Sequence, residues 1–341
     1  MNAYDQSVAL RRPLYTGEGV QQARQAIDGL PAGASPIPVP AFEAQVRLEA
    51  RVFLSLLENR NCYTRFPLGI AAMQPMSDGI ALYVESEERA AEILFELLPA
   101  LAPGGELHGL PGLRIVKRLR TAIELRVLDQ PTRLRLSGLP ARFWRSTEQT
   151  MLSKWIDPDA MQLCWRAAPR TWTTAEREHL SQWEDDNDRF VQVQQRGSWL
   201  GSGLLRRAAL LHTVANTFLA DGYRGAAADV TRLVVRSSHV RDRGPGPQHI
   251  VAALLDPVFG LPLRLTRFRG DTDEHYGSDQ HFVLEDPGKT ALLDLRASIE
   301  RPPSGLGPKL WEAILRRLPS QGFAGNLSSS FLAGLCDLGT S

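Results

Sequence analysis

The sequence is poor in the residues and motifs that most readily name a chemistry. Its 341 residues hold three cysteines, Cys62, Cys164 and Cys336. None stands in a CxxC pair, which argues against a zinc ribbon or a disulfide scaffold and fits a reducing compartment. No run approaches the roughly 18 apolar residues needed to cross a bilayer, and Met1 to Tyr15 lacks the apolar core of a secretory signal. The expected location is therefore the cytoplasm, without membrane association. Charge of one sign is lacking too: 39 basic side chains face 38 acidic ones, a formal charge of +1. Such balance argues against wholesale electrostatic binding to nucleic acid, though not against a local patch. Lysine is scarce, with only Lys117, Lys154, Lys289 and Lys309 among the 39 basic residues. This is the usage of a GC-rich genome, so the arginine count alone carries no function. GxxxxGK[ST], HExxH and GxSxG are all absent. Gly201-Ser-Gly203 is half of a GxGxxG and reads as a flexible break, so no cofactor is expected.

What is present speaks of architecture. Residues 1–40 read as a short helix, Glu18 to Leu30, followed by an extended connector with four prolines between Pro31 and Pro40. Residues 41–140 read as a first α+β lobe. Its opening helix, Ala41 to Glu58, places Val46, Ala50, Phe53 and Leu57 on one face. A hairpin turns at Ser77-Asp78-Gly79, and Ser86 caps a second helix with Glu87 and Glu88 in its first turn. Strands follow at 113–117, 122–128 and 132–136. Residues 141–203 hold six of the seven tryptophans, Trp144, Trp155, Trp165, Trp172, Trp183 and Trp199. They read as a helical bridge, with a capping box at Thr173-Thr-Ala-Glu176 and an acidic turn at Glu184 to Asp188. Residues 204–300 read as a second lobe: a helix at 204–219, strands at 223–227 and 230–236, a helix at 247–255, then strands at 263–268, 281–284 and 291–295. Residues 301–341 read as a closing helix, Lys309 to Leu318, and a tail.

The order of elements on either side of the bridge is the same, and the text rhymes. Asp78 to Ser86 resembles Asp229 to Ser237, Leu113-Arg-Ile-Val resembles Leu263-Arg-Leu-Thr, and Val127 to Pro131 resembles Val283 to Pro287, at spacings of 151, 150 and 156 residues. The expected fold class is α+β: two pseudo-repeated αββαβββ lobes with antiparallel sheets, joined by the Trp-rich segment. The opening Leu10 to Glu18 resembles uncharacterised proteins of GC-rich actinobacteria. That resemblance implies a bacterial cytoplasmic origin and assigns no residue a role.

Three constellations are candidates for function. Two basic runs, Arg114, Lys117, Arg118 and Arg120 in one lobe and Arg264, Arg267 and Arg269 in the other, occupy equivalent places and could meet phosphates. By strand alternation Lys117 faces away from Arg114 and Arg118, while Arg267 and Arg269 share a face. Asp271, Asp273, His275, Asp279 and His281 lie in a polar hairpin loop whose carboxylates and imidazoles could bind a divalent metal. Asp279 with Asp294-Leu-Arg296 imitates the acid and acid-x-lysine spacing of restriction-type nucleases. Arg296 departs from it, because a guanidinium stays protonated and cannot shuttle a proton. With no complete catalytic set, the leading expectation is a non-enzymatic adaptor with a protein partner. A nucleic-acid binder and a metal-dependent nuclease-like hydrolase are the alternatives.

Overall fold

The computed structural model describes residues 3–31, 33–58, 66, 68–156, 160–212, 220–227, 230–240, 247–273 and 277–300. The first segment holds two helices rather than one, α1 (Ala3–Thr16) and α2 (Val20–Asp28). α1 escapes a periodicity reading because one of its inward residues is charged: it buries Val8, Ala9 and Tyr15, but also Arg12. Arg12 donates from Nε to Glu18 Oε2 at 2.6 Å and also to the Pro36 carbonyl. This ties the helix pair to the connector, whose Ile37 is fully buried.

The first lobe runs α3 (Glu43–Glu58), β1 (Ile70–Met76), β2 (Gly79–Val84) and α4 (Glu87–Leu97). Short strands β3 (Ala100–Leu101) and β4 (Leu107–His108) follow, then β5 (Leu113–Arg118), β6 (Ala122–Val127) and β7 (Leu134–Ser137). Ser86 caps α4 as its sequence foretells, accepting from Arg89 N at 3.2 Å. The tryptophan-rich stretch supplies α5 (Ala141–Trp155), β8 (Gln162–Leu163), α6 (Cys164–Ala167) and α7 (Thr174–Leu205). The second lobe supplies β9 (Ala220–Ala227), β10 (Val230–Val240), α8 (Pro247–Leu254), β11 (Arg264–Asp273), β12 (Gly277–Glu285) and β13 (Ala291–Glu300). The helix expected at Lys309 to Leu318 lies outside the described residues.

The two large sheets have strand orders β1-β2-β7-β6-β5 and β9-β10-β13-β12-β11. Neither is purely antiparallel. β2 pairs parallel with β7, and β10 with β13. In each lobe a helix carries the chain from the hairpin to the far edge of the sheet, and a three-strand meander brings it back beside the hairpin in the same direction. The two sheets also match in detail. A row across the first joins Ile115, Leu125, Leu134 and Ile80. A row across the second joins Leu265, Leu284, Leu293 and Leu233. Both edge strands bulge next to that row, between Ile115 and Lys117 and between Leu265 and Arg267. By these rows only the rhyme at 113 and 263 is in register. Leu125 matches Leu284, 159 residues on, which puts the Val127 and Val283 rhyme three residues out.

The lobes share one hydrophobic core, which runs from Leu82 and Leu125 to Leu284 and Leu295. At its centre α3 crosses α7. Gly201 belongs to a 32-residue helix and is no break in the chain. A β-carbon there would lie 3.0 Å from Ala50, so glycine lets the two backbones approach. The Glu184 to Asp188 run is also inside α7, not in a turn. Of the helix expected at 204–219, Leu204 and Leu205 end α7 and Ala208–Leu211 form a 3-10 helix, while 213–219 lie outside the described residues. Trp144 and Trp165 are buried in this core. Trp172 and Trp199 are half-buried and donate to Asp129 (2.9 Å) and Thr290 (3.1 Å), residues of the two lobes.

The start of α7 is locked by the capping box that the sequence shows. Thr173 and Glu176 bond each other's backbone amides. Glu176, fully buried, also accepts from Arg114 Nη1 and Nη2 at 2.9 and 2.7 Å and from Gly112 N at 2.9 Å. Gly112 has φ +77, and a side chain there would run into the Trp172 ring. Burial alone would raise the Glu176 pKa, but the bonds from Arg114, Thr173 and Gly112 outweigh it and hold it at about 2. A depressed folded-state pKa contributes stability above the ordinary value, near 4.5, that is lost as pH falls toward 2. Glu176→Gln is expected to cost about 3–5 kcal/mol at pH 7, because it leaves the Arg114 charge buried and unpaired. It should also flatten the loss of stability between pH 4.5 and 2. Guanidinium denaturation of both proteins across that range checks both expectations.

Candidate functional site

Alternate residues of a strand share a face, and cross-strand partners share it too. On the second sheet, Leu284, Leu293 and Leu295 face the core, so Asp294 points to the outer face. It is nevertheless fully buried, under three neighbours. Arg296 donates to it from Nε at 3.2 Å and from Nη2 at 3.0 Å, Arg232 donates to Oδ2, and His281 Nε2 faces Oδ1. Burial raises the Asp294 pKa, but the bonds from Arg296 and Arg232 and the field of His281 outweigh it, leaving it below the ordinary value. The first sheet has an analogue. Glu124 lies under Arg126, Arg133 and Arg135, at 2.6, 3.4 and 3.8 Å.

This arrangement explains what the nuclease-like residues do here. Arg296 does not stand in for a proton-shuttling lysine, because it is the ion-pair partner of Asp294. Asp279 pairs with Ser298, four residues along β13 from Asp294, which is roughly 13 Å at strand spacing. The two positions are therefore separated along the sheet. The polar cluster is not a loop either: β11 and β12 continue through it, with Asp271 opposite Asp279 and Asp273 opposite Gly277. His275 lies outside the described residues. His281 sits farther down the hairpin, on Asp294. Among the described residues, no three metal-capable side chains come together.

The basic runs form β5 and β11, the outermost strands of different sheets. The shared bulge rewrites their faces. It puts Arg114 and Lys117 together on the outer face, opposite Arg126 and Glu124, and turns Arg118 to the helix side, opposite Ile123. Arg114 is buried in its bonds to Glu176, which removes it from any phosphate surface. Arg118 is held by Glu148 of α5 at 2.8 Å. Lys117 and Arg120 remain exposed. In β11 the bulge at Thr266 gathers Arg264, Arg267 and Arg269 on the outer face, opposite Glu285, Val283 and His281. Leu265 and Phe268 point to the helix side, and they are 43% and 54% exposed. All six residues from Arg264 to Arg269 are exposed, so β11, at the end of its sheet among the described residues, presents an arginine row and two apolar side chains. A separate cleft of about 480 Å³ lies between α3 and α7, lined by Leu48, Leu54, Leu180 and Leu233 together with Arg47 and His179.

Three structural charges were passed over by periodicity. Glu49 lies between Leu48 and Ala50, Arg206 follows Leu204-Leu205, and Arg232 precedes Leu233-Val-Val235. A charge on an apolar stripe is the signal that could have found them, since it must be paired inside. Comparison of the chain with family models, with curated proteins and with solved structures returns no match.

Asp294→Asn removes the carboxylate charge that Arg232 and Arg296 share. Both are a third or more exposed, so water screens them. The expected cost is about 1–3 kcal/mol at pH 7. Because the folded-state pKa is lowered, the wild-type advantage should shrink as pH falls below about 4. Urea denaturation at neutral and acid pH measures both.

Proposed function

We propose that this chain is a non-enzymatic interaction subunit, an adaptor of a cytoplasmic bacterial assembly, that takes an extended acidic segment of a partner protein along the edge of β11. The observation that carries the reading is the composition of that edge. Among the described residues β11 has a neighbour on one side only. Its other side presents unpaired backbone donors and acceptors, the means by which a peptide adds a strand to a sheet. Arg264, Arg267 and Arg269 stand on one face of it and are exposed. Natural edges carry charge against self-pairing, and a row of one sign also selects an oppositely charged strand. The matching strand orders, parallel pairs and bulges support a further reading, that the lobes are duplicates and that β11 and β5 are two forms of one edge.

Exposure of Lys117 and Arg120 alongside the β11 arginines supports a second reading, in which the edges contact nucleic-acid phosphates. Fluorescence anisotropy separates the two. A short peptide of alternating glutamate and valine is expected to bind at low salt. Arg267→Glu combined with Arg269→Glu should weaken it by about tenfold or more, roughly 1.4 kcal/mol or above. A single-stranded oligonucleotide of equal charge that binds more tightly than the peptide, with affinity falling steeply and linearly in log salt, would overturn the adaptor reading in favour of nucleic acid. No binding of either probe would sink both.

A further inference from the structure

The arginine row accounts for one face of β11 and leaves the other unexplained. On the helix side of the same stretch Leu265 and Phe268 are both exposed, Phe268 by 54% although its ring lies 4.9 Å from that of its cross-strand neighbour Phe282. A single exposed apolar residue is ordinary, but these two share a face of an end strand. The first lobe shows that the fold does not require them. There Arg118 stands in a row with Ile123, Leu136 and Leu82. The matching row of the second sheet is Phe268, Phe282, Leu295 and Val235, so Phe268 holds the place of Arg118, and Leu265 that of Ile115. Arg118 is a cation held by Glu148 at 2.8 Å, and Ile115 is half-buried against the shared core. The exposed apolar pair is therefore a feature of β11 and not of the lobe.

Strand geometry ties the two faces together. A segment added beside β11 continues the pleat, so its side chains point by turns to the outer face and to the helix side, each next to the β11 residue of the same row. After the bulge at Thr266, Arg267 and Arg269 point to the outer face and Phe268 between them to the helix side. The partner residue opposite Phe268 is thus flanked by the two that meet Arg267 and Arg269. Carboxylates suit the flanking positions. A charge does not suit the middle one, because it would meet a phenyl ring while both arginines lie on the other face. A β-branched or aromatic side chain there covers the exposed ring, and such cross-strand pairs are among the favourable ones.

We infer that the segment taken by β11 is amphipathic, acid–apolar–acid over three successive residues, with the acids opposite Arg267 and Arg269 and the apolar side chain seated on Phe268. Leu265 extends the apolar strip beyond the bulge. Phe268 is then the residue that sets specificity: the arginines attract any acidic chain, and Phe268 selects one whose acids alternate with apolar residues. This rests on the adaptor reading and adds to it the identity of the residue between the acids.

The test compares labelled peptides of equal length and charge on the full chain by fluorescence anisotropy. One alternates glutamate with valine, one alternates glutamate with serine, and one gathers the glutamates and valines of the first into separate blocks. The alternating glutamate–valine peptide is expected to bind about threefold or more tightly than either of the others. Phe268→Ser should erase its advantage over the glutamate–serine peptide without abolishing binding, and Phe268→Leu should keep that advantage. The wild-type comparison stands whether or not either variant folds. Equal affinity of wild type for the glutamate–valine and glutamate–serine peptides, or an advantage that survives Phe268→Ser, would overturn the inference and leave the adaptor reading in place. Binding of none of the peptides would remove the adaptor reading and this inference with it.

Discussion

The fold depends on one buried contact, the clasp of Glu49 on α3 with Arg206 just past the end of α7. Both side chains are almost wholly excluded from water. Arg206 donates to Glu49 through Nε at 2.7 Å and Nη2 at 2.6 Å, and Ser202 adds a bond to the same carboxylate at 2.7 Å. The rest of the guanidinium reaches the carbonyls of Pro38, Met76 and Gly79. One side chain thus joins both crossing helices, the proline connector and the turn of the first hairpin. Gln45 extends the set, donating to Glu49 at 2.8 Å and exchanging bonds with the backbone of Arg133. A buried ion pair adds little net stability over an apolar pair of the same shape, but removing one member is costly. Its value here is geometric: once the carboxylate is inside, only one helix crossing satisfies it.

The same logic recurs at the periphery. Arg12 with Glu18 fixes the N-terminal helices, and Arg114 with Glu176 fixes the start of α7. Arg207 is held by carbonyl oxygens instead. It donates to the carbonyls of Phe259, Gly260 and Gly203, and burial beside Arg206 lowers its pKa to about 10. Among the described residues four arginines, Arg12, Arg114, Arg206 and Arg207, are buried and serve as internal struts, for which a planar fork with five donors is better suited than lysine. That use separates the buried arginines from the row on β11, where Arg264, Arg267 and Arg269 are exposed.

Much of the secondary structure was legible in the sequence. Strands 113–117, 122–128, 230–236 and 291–295 follow from alternation between turn residues, and α4 follows from Ser86 and its two glutamates. The parallel pairing of β2 with β7 was not legible, because it is set by the path of the returning meander and not by any local pattern. The bulges at Val116 and Thr266 were hidden for a related reason. One unpaired residue reverses the face of everything after it, so alternation assigned Lys117 and Arg118 to the wrong sides. Of the candidate site, Arg264, Arg267 and Arg269 were visible as a basic run, whereas their gathering on one face required the bulge. The role of Asp294 as an ion-pair centre could not be read either, since its partner Arg232 is 62 residues away.

If the Glu49–Arg206 crossing makes the two sheets one cooperative body, weakening it must weaken both equally. Native-state hydrogen exchange on Glu49→Gln measures this directly. The amides of β2 and β6 in one sheet and of β10 and β13 in the other should lose protection by the same free energy, about 3–5 kcal/mol. Loss confined to the first sheet, with β10 and β13 still at wild-type protection, would contradict a shared core governed by that crossing.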